Sequence, residues 1–493
     1  MQGKESEDEW VMAKRKPNIL LIMTDQQRPD EFGCLGTIVE TPNLDKLISQ
    51  SVRFSRAYCQ APVCLPSRSS FVSNRYVRDH GVSSNNSGDL PHDLPTFPQM
   101  LRKAGYHTAL IGKADIYRDR TVEHARDTAY RMHEYGFDEP IETGGQQQTC
   151  QVRSEYTDWL ESQGQRYYEL ARDWSRKYNY RTRTIPMWDV ASHPLPAELY
   201  LDTWIGGRAA RWLAEYDADK PWFMWASFTG PHDPWDPPAE FAARYRDKEI
   251  PARNANLPDI SFGGPFAEYI QGRYAGESRR GDSSRVSDEA FREVRRFYYA
   301  KITLIDGEIG RIMAALEKKG EFDNTWVIFT SDHGEMLGDH GFMGKMVFYE
   351  PSVRVPLVMR PPKGMSGRVE RGLIEQVDLA TTMTAIAGAA EVPSGEGKAL
   401  TGHFDQSKNG FRRKVAISQN LGFAMFVTDR YKLVVQEETL MPCQLFDLIE
   451  DPQEDRNLVT DVGLEKVHDE IMQSHVRPFF AITGRRAPSA RSG

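Results

Sequence analysis

Asn18-Ile-Leu-Leu-Ile-Met-Thr24 is an unbroken apolar run, and Asp25 follows it directly. A run without alternation is what a strand buried on both faces of a parallel sheet requires. Comparable runs are His107–Ile111, Trp222–Phe228, Trp326–Thr330 and Val355–Met359. Helical patterns lie between them. Asn43 is placed to cap a helix bearing Leu44, Leu47 and Ile48, and Thr96 one bearing Phe97, Met100 and Leu101, with Gly105 as its stop. Asp378 is placed to cap another, through Met383 and Ile386. The clearest helix starts near Ser287. Its apolar positions, Phe291, Val294, Tyr298, Ile302, Ile305, Ile309, Ile312 and Leu316, step by three or four. Strands alternating with helices predict an α/β fold, a large mostly parallel sheet flanked by helices.

Near residue 395 the pattern changes. Val415–Ser418, Ala424–Val427 and Tyr431–Val435 are short runs at close spacing with no helical pattern between them, which predicts a small antiparallel sheet. The expected organisation is an N-terminal extension (1–16), a catalytic α/β domain (17–394), a small C-terminal α+β subdomain (395–483) and a disordered tail (484–493). No internal repeat is present.

The 493 residues carry 62 Lys and Arg against 70 Asp and Glu, a net charge of −8. That balance argues against a nucleic-acid partner, whose binding surface would be basic. No apolar run approaches the ~20 residues of a membrane span. The stretch Met1–Trp10 is acidic, without the basic and apolar regions of a secretory signal, so a cytoplasmic location, or a mature form whose signal was removed, is expected. Nothing in the sequence sets an oligomeric state. Five cysteines, Cys34, Cys59, Cys64, Cys150 and Cys443, are too few and odd in number for a disulfide framework. The odd count raises the question of whether one is chemically special.

Ligands of open α/β sheets bind beyond the carboxyl ends of the strands. Asp25 and Gln26 follow the first run, Lys113 the second, His232 the third, and Asp332 and His333 the fourth. These scattered residues are expected on one rim. Asp25, Asp332 and His333 offer oxygen and nitrogen donors for a divalent cation. Carboxylates favour Ca²⁺, Mg²⁺ or Mn²⁺, and the imidazole moves the balance towards Mn²⁺ or Zn²⁺. Lys113 and Lys345 are candidate anion binders. Residues 150–204 are dense in Trp, Tyr and Arg; they read either as the wall of a substrate cleft or as a peripheral insertion over the core.

Cys64-Leu-Pro-Ser-Arg68 is the sharpest local feature. Pro66 suits the first turn of a helix with Phe71 and Val72 as its buried face. Cys64 would then face free N–H groups and the positive end of the dipole, a position that favours an anion and activates a nucleophile. A buried, inert thiol is the other reading.

The same segment resembles the C-x-P-S-R signature of the formylglycine-dependent sulfatases, in the alkaline-phosphatase-like superfamily. Nearly the whole chain shares the resemblance. It extends over Asn18–Asp25, Thr41-Pro-Asn-Leu-Asp45, Gly112-Lys113, Pro231-His-Asp-Pro234, Thr330-Ser-Asp-His-Gly-Glu335, Lys345, and Leu445-Phe-Asp-Leu448 with Asp451-Pro452, Glu454 and Asn457-Leu458. The resemblance implies that a maturation enzyme oxidises Cys64 to formylglycine, whose hydrated aldehyde attacks the sulfur of a sulfate monoester. It further implies one divalent metal on Asp25, Gln26, residue 64, Asp332 and His333, Ca²⁺ favoured and Mn²⁺ the alternative. Arg68 would hydrogen-bond the gem-diol, Lys113 and Lys345 would neutralise sulfate, and His232 would be the general acid. The substrate would be a small-molecule or saccharide sulfate ester.

Three departures qualify the match. Asp25-Gln26 and Asp332-His333 replace the frequent Asp-Asp and Asp-Asn pairs, a combination shared with choline-sulfatase-like members and with the phosphonate monoester and phosphodiester hydrolases. Those hydrolases are the alternative function. Asp115 stands where many sulfatases have His, and is expected on a substrate hydroxyl or ammonium. Asn85 aligns loosely with a substrate-contacting Asn, and His80 reads equally as structural. Lys113, which the phosphonate and phosphodiester hydrolases replace with an uncharged residue, favours a sulfate monoester. A catalytically dead binding protein would not be expected to keep the whole set.

Overall fold

The computed structural model describes residues 15–118, 123–179, 185–260, 263–275, 282–405 and 410–481. Most of the N-terminal extension, Tyr180 of the aromatic stretch, and the tail 484–493 lie outside the described residues. The strands of the larger part are β1 (Asn18–Asp25), β2 (Val52–Phe54), β3 (Ala57–Tyr58), β4 (His107–Lys113), β5 (Glu139–Thr143), β6 (Trp222–Pro231), β7 (Thr325–Ser331), β8 (Arg354–Val355), β9 (Leu357–Arg360), β10 (Arg368–Glu370) and β11 (Ile374–Glu375). Eight of them form one sheet in the order β10-β2-β9-β7-β1-β6-β4-β5. β1 pairs in parallel with β6 and β7, and β4 in parallel with β6 and β5. Only β9, between β2 and β7, runs antiparallel to its neighbours. The fold is therefore the expected mostly parallel, alkaline-phosphatase-like sheet.

The unbroken run in β1 has a simple physical cause. Ile19, Leu21 and Met23 point into one hydrophobic layer, while Leu20 and Ile22 point into the other. The first layer is closed by α2 (Cys64–Ser73), by Phe97–Lys103 and by Val377–Ala387. The second is closed by α1 (Pro42–Ile48), by Leu201–Glu215 and by the helix Asp288–Lys318. That last helix buries all eight of its predicted apolar positions.

Of the three predicted caps one holds and two shift, and Ser287, near which the long helix was expected to start, proves to cap it. Thr96 accepts from the Gln99 amide, and Ser287 from the Ala290 amide. Asn43 does not cap α1: Thr41 precedes it, Pro42 opens it, and Asn43 instead donates to Asp306 of the long helix at 2.9 Å. Asp378 lies inside its helix, where its carboxylate accepts from the Glu375 and Lys398 amides and pairs with Arg413. In both cases a tertiary partner outcompetes the local cap.

The C-terminal strands, β12 (Ala416–Asn420), β13 (Phe423–Val427), β14 (Tyr431–Gln436) and β15 (Pro442–Asp447), form an antiparallel meander in sequence order. β15 was not legible as a strand. One face of this sheet, with Phe423, Met425 and Val434, joins a core containing Tyr58, Tyr349 and Val353. The other, with Phe426, Leu433 and Leu445, is covered by Ile471, Val476 and Phe479. All five cysteines are free thiols. Among the described residues no helix is long and apolar enough to cross a membrane.

Candidate active site

Because β7, β1, β6 and β4 are neighbours running the same way, their carboxyl ends share one rim. Asp25 ends β1 and Lys113 ends β4; His232 follows β6, and Asp332 and His333 follow β7. α2 brings Cys64 to the same rim as its first residue. One potential ligand atom from each of Asp25, Cys64, Asp332 and His333 lies within 4.8 Å of the others, and all four residues are buried. Cys64 Sγ is 3.2 Å from His333 Nε2 and 3.8 Å from Asp25 Oδ1. His333 Nδ1 donates to the Gly334 carbonyl at 3.0 Å, which leaves the Nε2 lone pair facing the cluster.

The electrostatics favour a cation here. Burial and the Asp25 charge push the Asp332 carboxyl up, against His333 and Arg68. Burial also opposes charge on Asp25, yet Lys113, His232, Lys345 and Arg68 hold it well below the usual carboxylate range. Two buried carboxylates that raise each other's energy, with a thiol and an imidazole beside them, form a donor set a divalent metal fits. Gln26, in the left-handed region at φ 68°, donates its backbone N–H to Asp332. Its side chain bridges Glu335 and Lys345. Arg68 is fully buried and bonds Asp332 at 2.8 Å, Asp25 at 3.3 Å, the Lys113 carbonyl at 2.7 Å and Ser227 at 2.9 Å. Its described bonds thus lie on the carboxylates beneath residue 64, not on the sulfur.

Cys64 occupies the N-terminus of a ten-residue helix whose preceding residue, Val63, is extended. Asn85 Oδ1 accepts from the Leu65 amide at 3.1 Å, so this side chain satisfies one of the free N–H groups next to the thiol. Ser67 fastens the first turn to the Asp332 carbonyl at 2.6 Å. His80 is structural: buried and pushed down to about 3, it contacts Ser70 on the back of α2. Lys345 Nζ sits 3.0 Å from Cys64 Sγ, and Lys113 pairs with Asp25. Burial and Asp25 oppose a thiolate, but Lys113, Lys345 and His333 together pull the Cys64 thiol well below its ordinary value. His232 is raised: burial and Lys345 disfavour its charge, while Asp233, Asp25 and a hydrogen bond to Cys64 outweigh them.

The family profile described as Sulfatase matches residues 17–389. The chain belongs to the sulfatase family. A second profile, for the C-terminal part of N-sulphoglucosamine sulphohydrolase, matches residues 338–477. An arylsulfatase from Clostridium perfringens is 29% identical over 467 residues, covering 90% of each chain. An N-acetylglucosamine-6-O-sulfatase from Bacteroides thetaiotaomicron is 26% identical, covering 93% of this chain and 85% of that one. Among solved structures, a phosphonate monoester hydrolase from Silicibacter pomeroyi superposes with a TM-score of 0.77 at 26% identity, covering 97% of both chains. As a family member this sulfatase is a sulfuric ester hydrolase.

The rim opens into a cavity of about 330 Å³. Cys64, Lys113, His232 and Lys345 line it, as does Asn85. Asp115 does not; it lines a smaller adjoining cavity with Tyr117 and Glu142, paired with Arg118 at 3.0 Å and Lys113 at 3.4 Å. Burial would raise this carboxyl, but Arg118 and Lys113 hold it well below its usual range. Two cations of the chain meet Asp115 in the fold, and its expected contact with a substrate hydroxyl or ammonium stands as a proposal. Of the described part of 150–204, Met187 alone reaches the cavity. Tyr156, Leu160, Ala171, Trp204 and their neighbours pack behind the sheet, which makes that stretch an insertion over the core.

This sulfatase also holds its His232 loop with residues that sequence reasoning missed. Lys301, from the long helix, donates to the His232 and Pro234 carbonyls at 2.8 and 3.0 Å and pairs with Asp236 at 3.6 Å. Gln147 donates to the Asp233 carboxylate at 2.6 Å, and Gln146 to Asp236 at 2.8 Å. Trp174 and Tyr200 complete the shell of Asp236. The available signal was a lysine within the apolar stripe of the long helix, a costly placement unless the ammonium finds acceptors.

Proposed function

We propose that this sulfatase hydrolyses a sulfate monoester of a small molecule or saccharide through a formylglycine made from Cys64. The observation that carries the reading is the position of Cys64 Sγ: at a helix N-terminus, 3.0 Å from Lys345 and beside the Asp25–Asp332–His333 cluster. Asp25, Asp332, His333 and residue 64, with Gln26 at the edge, would hold one divalent metal, Ca²⁺ in preference and Mn²⁺ as the alternative. When bound, the metal supplies Lewis-acid polarisation of a sulfate oxygen. A gem-diol hydroxyl of residue 64 attacks sulfur. Lys113 and Lys345 meet the charge that grows on the sulfate oxygens. His232, whose Nδ1 faces the Asp233 carbonyl, protonates the departing oxygen. The second gem-diol hydroxyl then expels sulfate and restores the aldehyde, a two-step covalent route. Arg68 acts one layer down, fixing both carboxylates. A formylglycine-generating or equivalent maturation enzyme is the implied partner. The proposed division is a catalytic unit 17–394 and a C-terminal unit 395–483.

A phosphonate monoester or phosphodiester hydrolase is the second reading, favoured by the Silicibacter neighbour and by the Asp25-Gln26 and Asp332-His333 pairs. Lys113, paired with Asp25 at the cavity, weighs against it. The test is a panel of sulfate monoesters, phosphonate monoesters and phosphodiesters, on protein whose Cys64 peptide has been weighed by mass spectrometry. Faster turnover of sulfate monoesters by the aldehyde form is expected. Faster turnover of a phosphodiester, or activity from unmodified Cys64, would overturn the reading.

A further inference from the structure

The hairpin between β12 and β13 reaches the cavity. Asn420 pairs with Phe423, so the turn consists of two residues, Leu421 and Gly422. Both have positive φ, 47° and 83°, as a type I′ turn requires. Such a turn favours Asn-Gly or Asp-Gly, because a bulky side chain in the left-handed region costs free energy. Leu421 is also 42% exposed, and it lines the cavity that holds Cys64. A single exposed leucine needs no explanation; one placed in a strained turn beside a reaction site does.

The turn is firmly anchored. Asn420 donates from Nδ2 to the Met346 carbonyl at 2.8 Å and to the Tyr269 hydroxyl at 3.0 Å. The Phe423 ring packs on Phe266 and Tyr269 of the helix Gly264–Ala275, with centroids 5.0 and 5.3 Å apart. Leu421 is thus fixed relative to the loop that carries Lys345. Met343 and Met346 of that loop line the same cavity, as does Met187. Met346 is left-handed as well, at φ 78°. Met187 Cε lies 3.6 Å from the position a Cβ on Gly344 would take, so it closes on the same loop. None of these four apolar side chains has a part in the proposed chemistry at sulfur. No Trp, Tyr or Phe lines the cavity among the described residues.

We infer that Leu421, with Met187, Met343 and Met346, receives an aliphatic part of the alcohol that the sulfate ester releases. Leucine and methionine side chains adapt to an aliphatic chain and take its surface out of water. Leu421 is thereby a specificity-determining residue supplied by the C-terminal sheet. The inference rests on the sulfatase reading of the Cys64 site.

The test uses ethyl, butyl and hexyl sulfate on the full chain, with its formylglycine content measured. The scissile bond is alike in all three. From ethyl to hexyl, kcat/KM should rise at least ~10-fold, because each methylene taken out of water strengthens binding. Leu421→Asn installs a residue that the turn prefers and removes the apolar group. Its Tm should equal or exceed that of the parent, while the hexyl-over-ethyl ratio falls at least ~3-fold. Leu421→Met should keep most of the ratio. A flat series, no turnover of the three by enzyme that hydrolyses aryl sulfates, or a ratio unmoved in Leu421→Asn would overturn the inference and leave the sulfatase reading standing. A lower Tm with equal losses on all three esters would make Leu421 a packing residue and overturn the inference too. Absence of turnover on every sulfate ester, aryl esters included, by aldehyde-bearing enzyme would overturn both readings.

Discussion

At the floor of the cavity, Asp25 and Lys113 end strands, and His232, Asp332 and His333 follow strand ends by one or two residues. At its wall, Asn85 and Met187 come from connections between elements, Gln147 from the short 3-10 turn Gln146–Gln148, and Arg118 stands five residues beyond β4. The floor is buried and cross-tied; Arg68 alone links Asp25, Asp332, Lys113 and Ser227. The wall depends on a second set of ties running to Lys301 and Asp236. Parallel strands in a sheet fix the floor with little freedom, because moving one residue means moving a strand. The wall is free to change with its loops. On the proposed function, chemistry that must not vary sits below and recognition above.

The largest test of this division strikes the floor. Cys64→Ala leaves the wall untouched and should lower kcat/KM at least ~10³-fold, as loss of a covalent nucleophile does. The protein should stay folded, because Ala fills the first position of α2 without strain, and circular dichroism checks that. Residual activity within tenfold of the parent would end every reading built on residue 64.

The floor was legible in the sequence because each of its residues follows a recognisable strand, or opens a helix after a short motif. The unbroken run Asn18–Thr24 identified the central strand for the same reason that it packs on both faces. The wall was not legible. Gln146, Gln147 and Gln148 form a polar run that reads as any loop, and Arg118 pairs with a residue three positions away that looked like a ligand contact. Trp174 and Tyr200 suggested a stacking surface; in the fold, Trp174 and the Tyr200 hydroxyl serve a buried carboxylate. β5, Glu-Pro-Ile-Glu-Thr, hides because it is an edge strand with a proline and a single aliphatic residue, Ile141. β2, three residues long, is too short for any periodicity to register.

A cut at the ties between floor and wall comes next. Lys301→Met removes the ammonium that holds the His232 and Pro234 carbonyls and leaves Asp236 without its buried cation. Breaking one side of a buried pair costs about 3 kcal/mol or more, measurable by denaturant unfolding. Activity should fall more on esters with poor leaving groups than on activated aryl esters, because only the former need a well-placed general acid. Equal losses on both classes would mean that Lys301 supports the fold without positioning His232.

Chelation tests the floor by another route. Removing a metal that binds only the folded state at a hundredfold excess over its Kd costs about 2.7 kcal/mol. The repulsion between buried Asp25 and Asp332 makes this loss larger at the floor than any comparable change at the wall. A thermal scan with and without EDTA, followed by Ca²⁺ or Mn²⁺ add-back, should show a fall in Tm and its recovery. An unmoved Tm would count against a metal on these four residues.

The smallest effect is expected farthest from the floor. The Tyr200 hydroxyl lies 2.9 Å from Asp236 Oδ1 and 2.8 Å from Gln146 Oε1, and its one proton serves one of the two. Tyr200→Phe keeps the ring in its packed site and deletes that bond. Asp236 retains Gln146, Trp174 and Lys301. The loss should be about 1 kcal/mol in unfolding free energy. The turnover rate should change far less than in Lys301→Met, because Tyr200 touches neither His232 nor the loop carbonyls that Lys301 holds. If Tyr200→Phe instead slowed turnover as much as Lys301→Met, the ties around Asp236 would be part of the reacting floor, and the division between a fixed floor and an adaptable wall would have to be drawn one layer farther out.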